Sequence, residues 1–109
     1  MYARRIGVAR KDPGLYIMVA LAEGPLHGYA MRKAIAEFAG VELGPGSLYG
    51  ALSRLEDLGY VVALDSDNPR RRPYRLTALG ADALRSEIRE MEVLSSELRR
   101  RAPSLLSSN

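Results

Sequence analysis

The sequence contains no cysteine, no tryptophan and a single histidine, His27. The absence of cysteine excludes disulfides, thiolate catalysis, and zinc or iron–sulfur centres held by thiolates. One histidine also excludes a histidine-rich metal site. We therefore expect neither a metal nor a cofactor. His27 is expected to pack in the structure or to contact the local backbone or a phosphate.

Long apolar runs are also lacking. The longest, residues 14–22, is about half of the ~20 residues that a transmembrane helix needs. Arg4 and Arg5 resemble the charged start of a secretory signal, but charged residues at 10–12 follow too soon for an apolar segment. We expect a cytoplasmic protein with no membrane partner.

What is present is an ordinary globular composition in a short chain. The 109 residues are 47% hydrophobic and 27% charged, which predicts one small domain that gains stability from a partner. The net charge is only +3, and arginine supplies 14 of the 16 basic residues. This excess of arginine suits phosphate or carboxylate partners, but a GC-rich genome explains it equally well.

The first half of the chain predicts three helices. Residues 15–22 are apolar on every side, which fits a buried strand or a buried helix, and their Leu, Met and Ala content favours helix. A second helix over residues 27–39 has an apolar stripe at Met31, Ala34, Ile35 and Phe38. A third helix has Ser47 as its N-cap, and Gly59 stands at its left-handed end. Its buried stripe is Leu48, Leu52 and Leu55.

A hairpin follows the third helix. Residues 60–64 are β-rich, residues 65–69 form a concentrated turn signal, and residues 72–76 alternate between apolar and polar. Tyr74 and Leu76 would share one face of the second strand. Pro73 cannot donate to a sheet ladder, so we expect this strand at an edge.

The last element is predicted to be a long helix over residues 77–102. Its apolar residues recur at spacings of three, four and seven, with Ser95 as the weak point of the seam. So long a helix exceeds what the small body can cover, so its apolar stripe needs a partner. The predicted dimerisation residues are Leu84, Ile88, Met91, Leu94 and Leu98.

The chain thus divides into four parts. We expect a flexible basic arm at residues 1–12, a winged helix-turn-helix at 13–76, the dimerisation helix at 77–102 and a frayed tail at 103–109. The fold class is mainly α with a small β-hairpin. A winged helix-turn-helix suits DNA because one helix fits the major groove and the wing reaches phosphates or a minor groove.

Three segments of the sequence resemble the PadR family of bacterial transcriptional regulators. They are residues 26–29 (LHGY), 46–61 (GSLYGALSRLEDLGYV) and 74–80 (YRLTALG), and the resemblance extends over about residues 13–100. It implies a winged helix-turn-helix dimer of the short subfamily that represses nearby genes and is often released by a small aromatic or drug-like ligand.

The chain departs from the family pattern at a few positions. Gly50 stands where the family commonly has proline, and residues 73–75 (PYR) replace a frequent pair of tyrosines. Tryptophan, which some members use to stack planar ligands, is absent. Tyr16 and Tyr29 are the candidates for lining an effector cavity between subunits, although such tyrosines are more often core residues.

The candidate DNA contacts lie on the third helix and on the hairpin. On the helix the polar or small positions off the leucine stripe face either a DNA groove or solvent, with Arg54 in the second case balanced by a nearby acid. The hairpin arginines suit phosphate or minor-groove contact, the alternative being a solvated charged turn. The predicted set is Ser47, Tyr49, Gly50, Ser53, Arg54, Arg70, Arg71, Arg72 and Arg75.

Two functions fit these features. The first is a homodimeric regulator that binds a pseudo-palindromic double-stranded operator and responds to a small-molecule effector. The alternative is a winged-helix protein-interaction module that does not bind DNA, which the modest net charge would suit. No nucleophile–base pair, paired-acid cleft or phosphate loop is visible, so we do not expect an enzyme.

Overall fold

The computed structural model describes residues 12–107 of the chain. Four helices and three short strands make up the fold, together with 3₁₀ turns at Pro69–Arg71 and Pro103–Leu105. The order is α1 (Pro13–Ala20), β1 (Leu26–His27), α2 (Gly28–Ala39), α3 (Pro45–Asp57), β2 (Val61–Ala63), β3 (Pro73–Leu76) and α4 (Ala78–Arg101). The prediction of a mainly helical winged fold is confirmed.

The first apolar run is a helix rather than a strand. Pro13 fixes the backbone of its first turn, and the Asp12 carboxylate accepts a hydrogen bond from the Gly14 backbone N–H at 2.9 Å. Ile17 and Met18 are buried, and Leu21 follows them into the core just after the helix ends. The apolar run therefore forms the central helix of a small core.

Helix α2 begins and ends close to the predicted bounds. The His27 ring is its N-cap, because Nδ1 accepts from the Ala30 backbone N–H at 3.4 Å, and Gly40 ends the helix in the left-handed region with φ 68°. Met31 and Ile35 are fully buried, as the stripe predicts. Phe38 is half exposed, contrary to the prediction, because Ala39 and Val41 pack against the core at this end of the helix instead.

Helix α3 begins earlier than the sequence pattern indicates. Its N-cap is Gly44, and Ser47 is the third residue of the helix, so the prediction of a Ser47 cap is wrong. Pro45 explains the difference, since proline is favoured in the first helical turn and its fixed φ starts the helix there. The other end is confirmed, because Gly59 adopts φ 80° immediately after the last turn.

The sheet has three strands in the order β1-β3-β2, all antiparallel. β3 is therefore the central strand, and the prediction that Pro73 lies on an edge is wrong. Proline is tolerated because it is the first residue of the strand, and its carbonyl still accepts from the Leu64 N–H at 2.8 Å. The pairing of His27 with Pro73 comes from a two-residue strand that is too short to leave a sequence pattern.

Helices α1, α2 and α3 share one apolar core. Its fully buried large side chains are Ile17, Leu21, Met31, Ile35, Leu48 and Leu52. Tyr74 and Leu76 of β3 pack against this core from the same face of the sheet, as their alternation predicts. The core therefore fixes α3 relative to both the other helices and the wing formed by β2, β3 and the residues between them.

A tight joint connects the end of α3 to the start of α4. Thr77 caps α4 by accepting from the Gly80 N–H at 3.0 Å, while its hydroxyl donates to the Gly59 carbonyl at 2.6 Å. The Thr77 N–H also donates to the Tyr60 carbonyl at 3.0 Å. A Cβ on Gly80 would lie 2.0 Å from that same carbonyl oxygen, so only glycine allows this approach.

Helix α4 extends away from the core. Its 24 residues span about 36 Å, and Gly80 is the one residue of the helix that is buried. The predicted frayed tail begins instead with the 3₁₀ turn Pro103–Leu105. The predicted arm, apart from Asp12, lies outside the described residues. None of the described helices is both long enough and apolar enough to cross a bilayer.

The joint can be tested with Gly80→Ala. We expect the free energy of unfolding to fall by about 1–3 kcal/mol, because the new methyl group must displace the Tyr60 backbone. Urea denaturation measures the change. Gly46→Ala is the matched control: a Cβ there meets nothing within 4 Å, so stability should hold or rise by about 0.4–1 kcal/mol. Equal stability of the two variants would contradict the joint.

Candidate nucleic-acid interface

One side of α3 is buried and the other carries the predicted contacts. Leu48, Ala51, Leu52 and Leu55 face the core. The helix positions proposed for DNA are all exposed, namely Ser47, Tyr49, Gly50, Ser53 and Arg54. Gly46, Gly50 and Ser53 succeed one another at spacings of four and three opposite the buried stripe, so they form the outermost line of the helix up to Asp57, the exposed acid that ends it.

The outer line of α3 has little side-chain bulk. A Cβ added to Gly46 or to Gly50 would meet nothing within 4 Å. Packing among residues 12–107 therefore does not require glycine at either position. The two glycines leave a low surface over which a ligand can approach the helix backbone closely.

Arg54 is not balanced by an acid of the described chain. Its Nη1 lies 3.5 Å from the Gly50 carbonyl oxygen, and none of the ion pairs among residues 12–107 includes it. The alternative in which Glu56 or Asp57 neutralises Arg54 therefore finds no support in the structure.

The wing presents a cluster of free cations. The Asn68 side chain accepts from the Arg70 N–H at 3.0 Å and so caps the 3₁₀ turn that holds the arginines. All four wing arginines are exposed, and within the described part of the chain none pairs with a carboxylate: Arg70, Arg71, Arg72 and Arg75. Arg75 instead donates to the Leu76 carbonyl at 3.1 Å.

Three of the five arginines of α4 differ from those of the wing, because they form ion pairs. Arg85 pairs with Asp82, and Arg100 and Arg101 both bind the Glu97 carboxylate, whose pKa they lower. These pairs lie on the surface along one helix, at the (i, i+3) and (i, i+4) spacings. In the wing four arginines thus gather with no carboxylate of the described chain at ion-pair distance, although Asp65 and Asp67 belong to the same hairpin.

Tyr74 connects the wing to α3. It is half-buried on β3, and burial raises the pKa of its hydroxyl, with smaller contributions in the same direction from Glu56 and Tyr49 of α3. The phenol therefore stays protonated, and it lies in the electrostatic environment of the exposed surface of α3. Sequence reasoning placed Tyr74 on one face of the second strand with Leu76, without assigning it to this boundary.

Sequence reasoning missed the side chain that closes the turn between α2 and α3. Arg32 reaches from α2 across the turn, and its Nε donates to the Leu43 carbonyl at 2.7 Å. The sequence shows only that Arg32 lies off the apolar stripe of α2, and that position predicts a side chain in solvent. The bond ties Leu43, in the turn that leads to α3, to the side of α2.

The predicted dimerisation stripe is mostly uncovered. Leu84 packs against the chain's own core, whereas Ile88, Met91 and Leu98 are 36–37% exposed and Leu94 is 56% exposed. From Ile88 to Leu98 these side chains are partly covered, and between 36% and 56% of each remains exposed. Val93 is more exposed still, at 62%, and its spacing from Ile88 and Met91 places it on another side of the helix.

The two candidate effector tyrosines have different environments. Tyr16 packs against the core from α1, a helix that contacts α4. Tyr29 is 70% exposed on α2. Among the described residues no three His, Asp or Glu side chains gather in a way that could hold a metal ion.

The class of protein is defined by this arrangement. Two helices joined by a short turn, followed by a basic two-stranded wing, make a winged helix-turn-helix. A model of the transcriptional regulator PadR-like family matches residues 17–86. The chain belongs to this family, whose members regulate transcription rather than catalyse reactions.

Individual relatives agree with this membership. The chain is 34% identical over 86 residues to the transcriptional regulator Rv3488 of Mycobacterium tuberculosis, covering 77% of this chain and 79% of that protein. It is 46% identical over 87 residues to an uncharacterized 37.1 kDa protein in transposon TN4556 of Streptomyces fradiae. That match covers 80% of this chain but only 25% of the transposon protein, so the chain spans a quarter of that relative's length.

A solved structure shares the fold. The crystal structure of Bacillus subtilis PadR in complex with operator DNA matches with a TM-score of 0.63 at 22% identity. The match covers 72% of this chain and 47% of the Bacillus chain. At this identity the likeness shows the fold alone.

The turn that positions α3 can be tested with Arg32→Met. The variant keeps most of the apolar stem but leaves the Leu43 carbonyl without its donor. We expect the free energy of unfolding, measured by urea denaturation, to fall by about 1–2 kcal/mol. Lys33→Met, on the exposed side of α2, is the control and should change stability by less than about 0.5 kcal/mol. An Arg32→Met variant as stable as this control would refute the role of Arg32.

Proposed function

We propose that the protein is a homodimeric, sequence-specific DNA-binding regulator that represses transcription. The observation that carries the proposal is the exposed outer side of α3 beside four wing arginines that no acid of the described chain neutralises. Family membership supports it, as does the fold shared with a PadR protein crystallised on its operator. A protein acting on chromosomal DNA in this way would work in the cytoplasm.

The proposed contacts follow from the shapes of the two elements. The exposed side of α3 enters the major groove, where Ser53 and Arg54 reach base edges or the bounding strands and Gly50 allows close approach. The wing arginines lie along phosphates or in the adjacent minor groove. Each unpaired guanidinium that meets a phosphate releases condensed counterions, so binding must depend on salt.

The wing contribution can be measured with single Arg→Ala variants at residues 70, 71, 72 and 75. Each arginine that contacts a phosphate should make the log–log slope of affinity against salt shallower by about 0.9. The probe is the protein's own upstream intergenic DNA, compared with a scrambled duplex, in fluorescence anisotropy at several salt concentrations. Tight, salt-dependent and sequence-selective binding by the unmodified protein would establish the regulator.

Arg85→Ala is the charge-matched control for this series. It removes one positive charge from α4, where Arg85 already pairs with Asp82, and should leave the slope unchanged. If all four wing variants behave like Arg85→Ala, the wing does not contact DNA. Negligible binding of the unmodified protein to any duplex, even at low salt, would instead favour a winged-helix module that binds another protein.

We propose that α4 forms the dimer. Ile88, Met91, Leu94 and Leu98 give a continuous apolar face beyond the body of the molecule, and burying such a face is the main favourable term in association. Two copies joined there would place their α3 helices in successive major grooves. The operator would then be a pseudo-palindrome with half-site centres roughly 10 bp, or a multiple, apart.

The dimer can be tested with the double variant Ile88→Asp, Met91→Asp. Two carboxylates in the interface would be desolvated without partners, so we expect a monomer that no longer binds operator DNA. Analytical ultracentrifugation and anisotropy measure the two effects. Val93→Asp is the control, because Val93 is exposed on another side of the same helix and should stay dimeric. A monomeric double variant with full DNA affinity would refute the model.

We propose that a small-molecule effector, where one acts, enters near the dimer interface. Tyr16 lies on α1, which packs against α4, so a ligand there would border the dimerisation helix. A small shift of α4 would change the spacing of the two α3 helices, and DNA binding depends on that spacing. Repression would end when the spacing no longer matches the operator.

A further inference from the structure

Gly28, the first residue of α2, is in close contact with Tyr49 of α3. A Cβ on Gly28 would lie 2.3 Å from the Tyr49 hydroxyl oxygen, 3.0 Å from the ring carbon that carries it and 3.2 Å from a Leu48 methyl group. The phenol therefore occupies the space that any side chain at residue 28 would need. Gly28 and Tyr49 belong to two of the segments that resemble the family, residues 26–29 and 46–61. The contact between them is one between two helices and does not involve DNA.

The contact fixes the direction of the Tyr49 side chain. Although 46% exposed, Tyr49 leans back from α3 onto the first turn of α2. It is thus on the flank of α3 and not on the outermost line formed by Gly46, Gly50 and Ser53. A side chain on the outermost line would point into a groove, whereas one on the flank faces the strand that borders it.

We propose that Gly28 is a positioning residue that holds the Tyr49 hydroxyl for contact with a DNA phosphate, not with a base. The inference rests on the proposed DNA-binding function. A phenol hydroxyl donates a hydrogen bond to a phosphate oxygen, and the positive end of α2 beside it favours an anion. Glu56, the acid on the same flank, lies two turns further along α3, about 10 Å away along the axis.

The first experiment is a thermal-stability cycle that needs no DNA. Gly28→Ala should lower the melting temperature, because the new methyl group clashes with the phenol. Tyr49→Ala removes the obstacle, so the double variant should melt higher than Gly28→Ala alone. Gly46→Ala is the matched control: its Cβ meets nothing within 4 Å, and its effect should add to that of Tyr49→Ala. Simple additivity of Gly28→Ala and Tyr49→Ala would show that Gly28 does not seat Tyr49.

The second experiment measures affinity for the upstream duplex and for a scrambled duplex. Tyr49→Phe should weaken binding to both by the same factor, roughly three- to tenfold, because a phosphate contact carries no base information. The salt slope should not change, since a neutral hydroxyl releases no counterion. Gly28→Ala should lose affinity similarly, and adding Tyr49→Phe to it should cause no further loss.

Each outcome separates the inference from the function on which it rests. A loss by Tyr49→Phe that is confined to the upstream duplex would show base contact and overturn the phosphate assignment. Full affinity in Gly28→Ala, or losses that multiply in the double variant, would overturn the positioning role. Absence of DNA binding in the unmodified protein would overturn the proposed function together with the phosphate contact, while the stability cycle still tests whether Gly28 seats Tyr49.

Discussion

The close approach of α4 to the segment after α3 is the constraint on which the rest of the molecule depends. Gly80 lies against the Tyr60 carbonyl, and Thr77 binds Gly59 and Tyr60 at once. Thus the end of α3, the start of β2 and the first turn of α4 meet in a few residues. A rotation of α4 would therefore displace the residues that end α3, because the joint consists of backbone contacts and the short Thr77 side chain.

The distribution of charge separates the two ends of the molecule. The net charge of +3 is too small to indicate an anionic partner. It is, however, a sum over the whole chain and does not distinguish arginines in ion pairs from arginines outside them. On α4 the acids at 82 and 97 neutralise arginines one turn away, whereas the wing has no such partners within the described residues. The placement of the arginines is therefore more informative than the net charge, since a local group of cations attracts phosphate even in a nearly neutral protein.

Most of the fold could be predicted from the sequence because it is local. The helical stripes of α2 and α3, the Gly59 turn and the hairpin each follow from residues a few positions apart. Two predictions were wrong. Gly44 and not Ser47 is the N-cap of α3, because Pro45 starts the helix earlier, and Pro73 is central because a two-residue strand pairs with it. Similarly, the candidate DNA residues were found from periodicity, whereas the roles of Arg32 and Gly28 depend on contacts between different helices.

The bare outer line of α3 has a consequence for how such a protein can diverge. Because a Cβ at Gly46 or Gly50 meets nothing within 4 Å in the described part of the chain, new side chains there are not opposed by the core. The buried stripe that holds the helix in place lies on the opposite side and is untouched by such changes. A duplicated gene could therefore acquire a new operator preference through one or two substitutions, without first evolving a more stable fold.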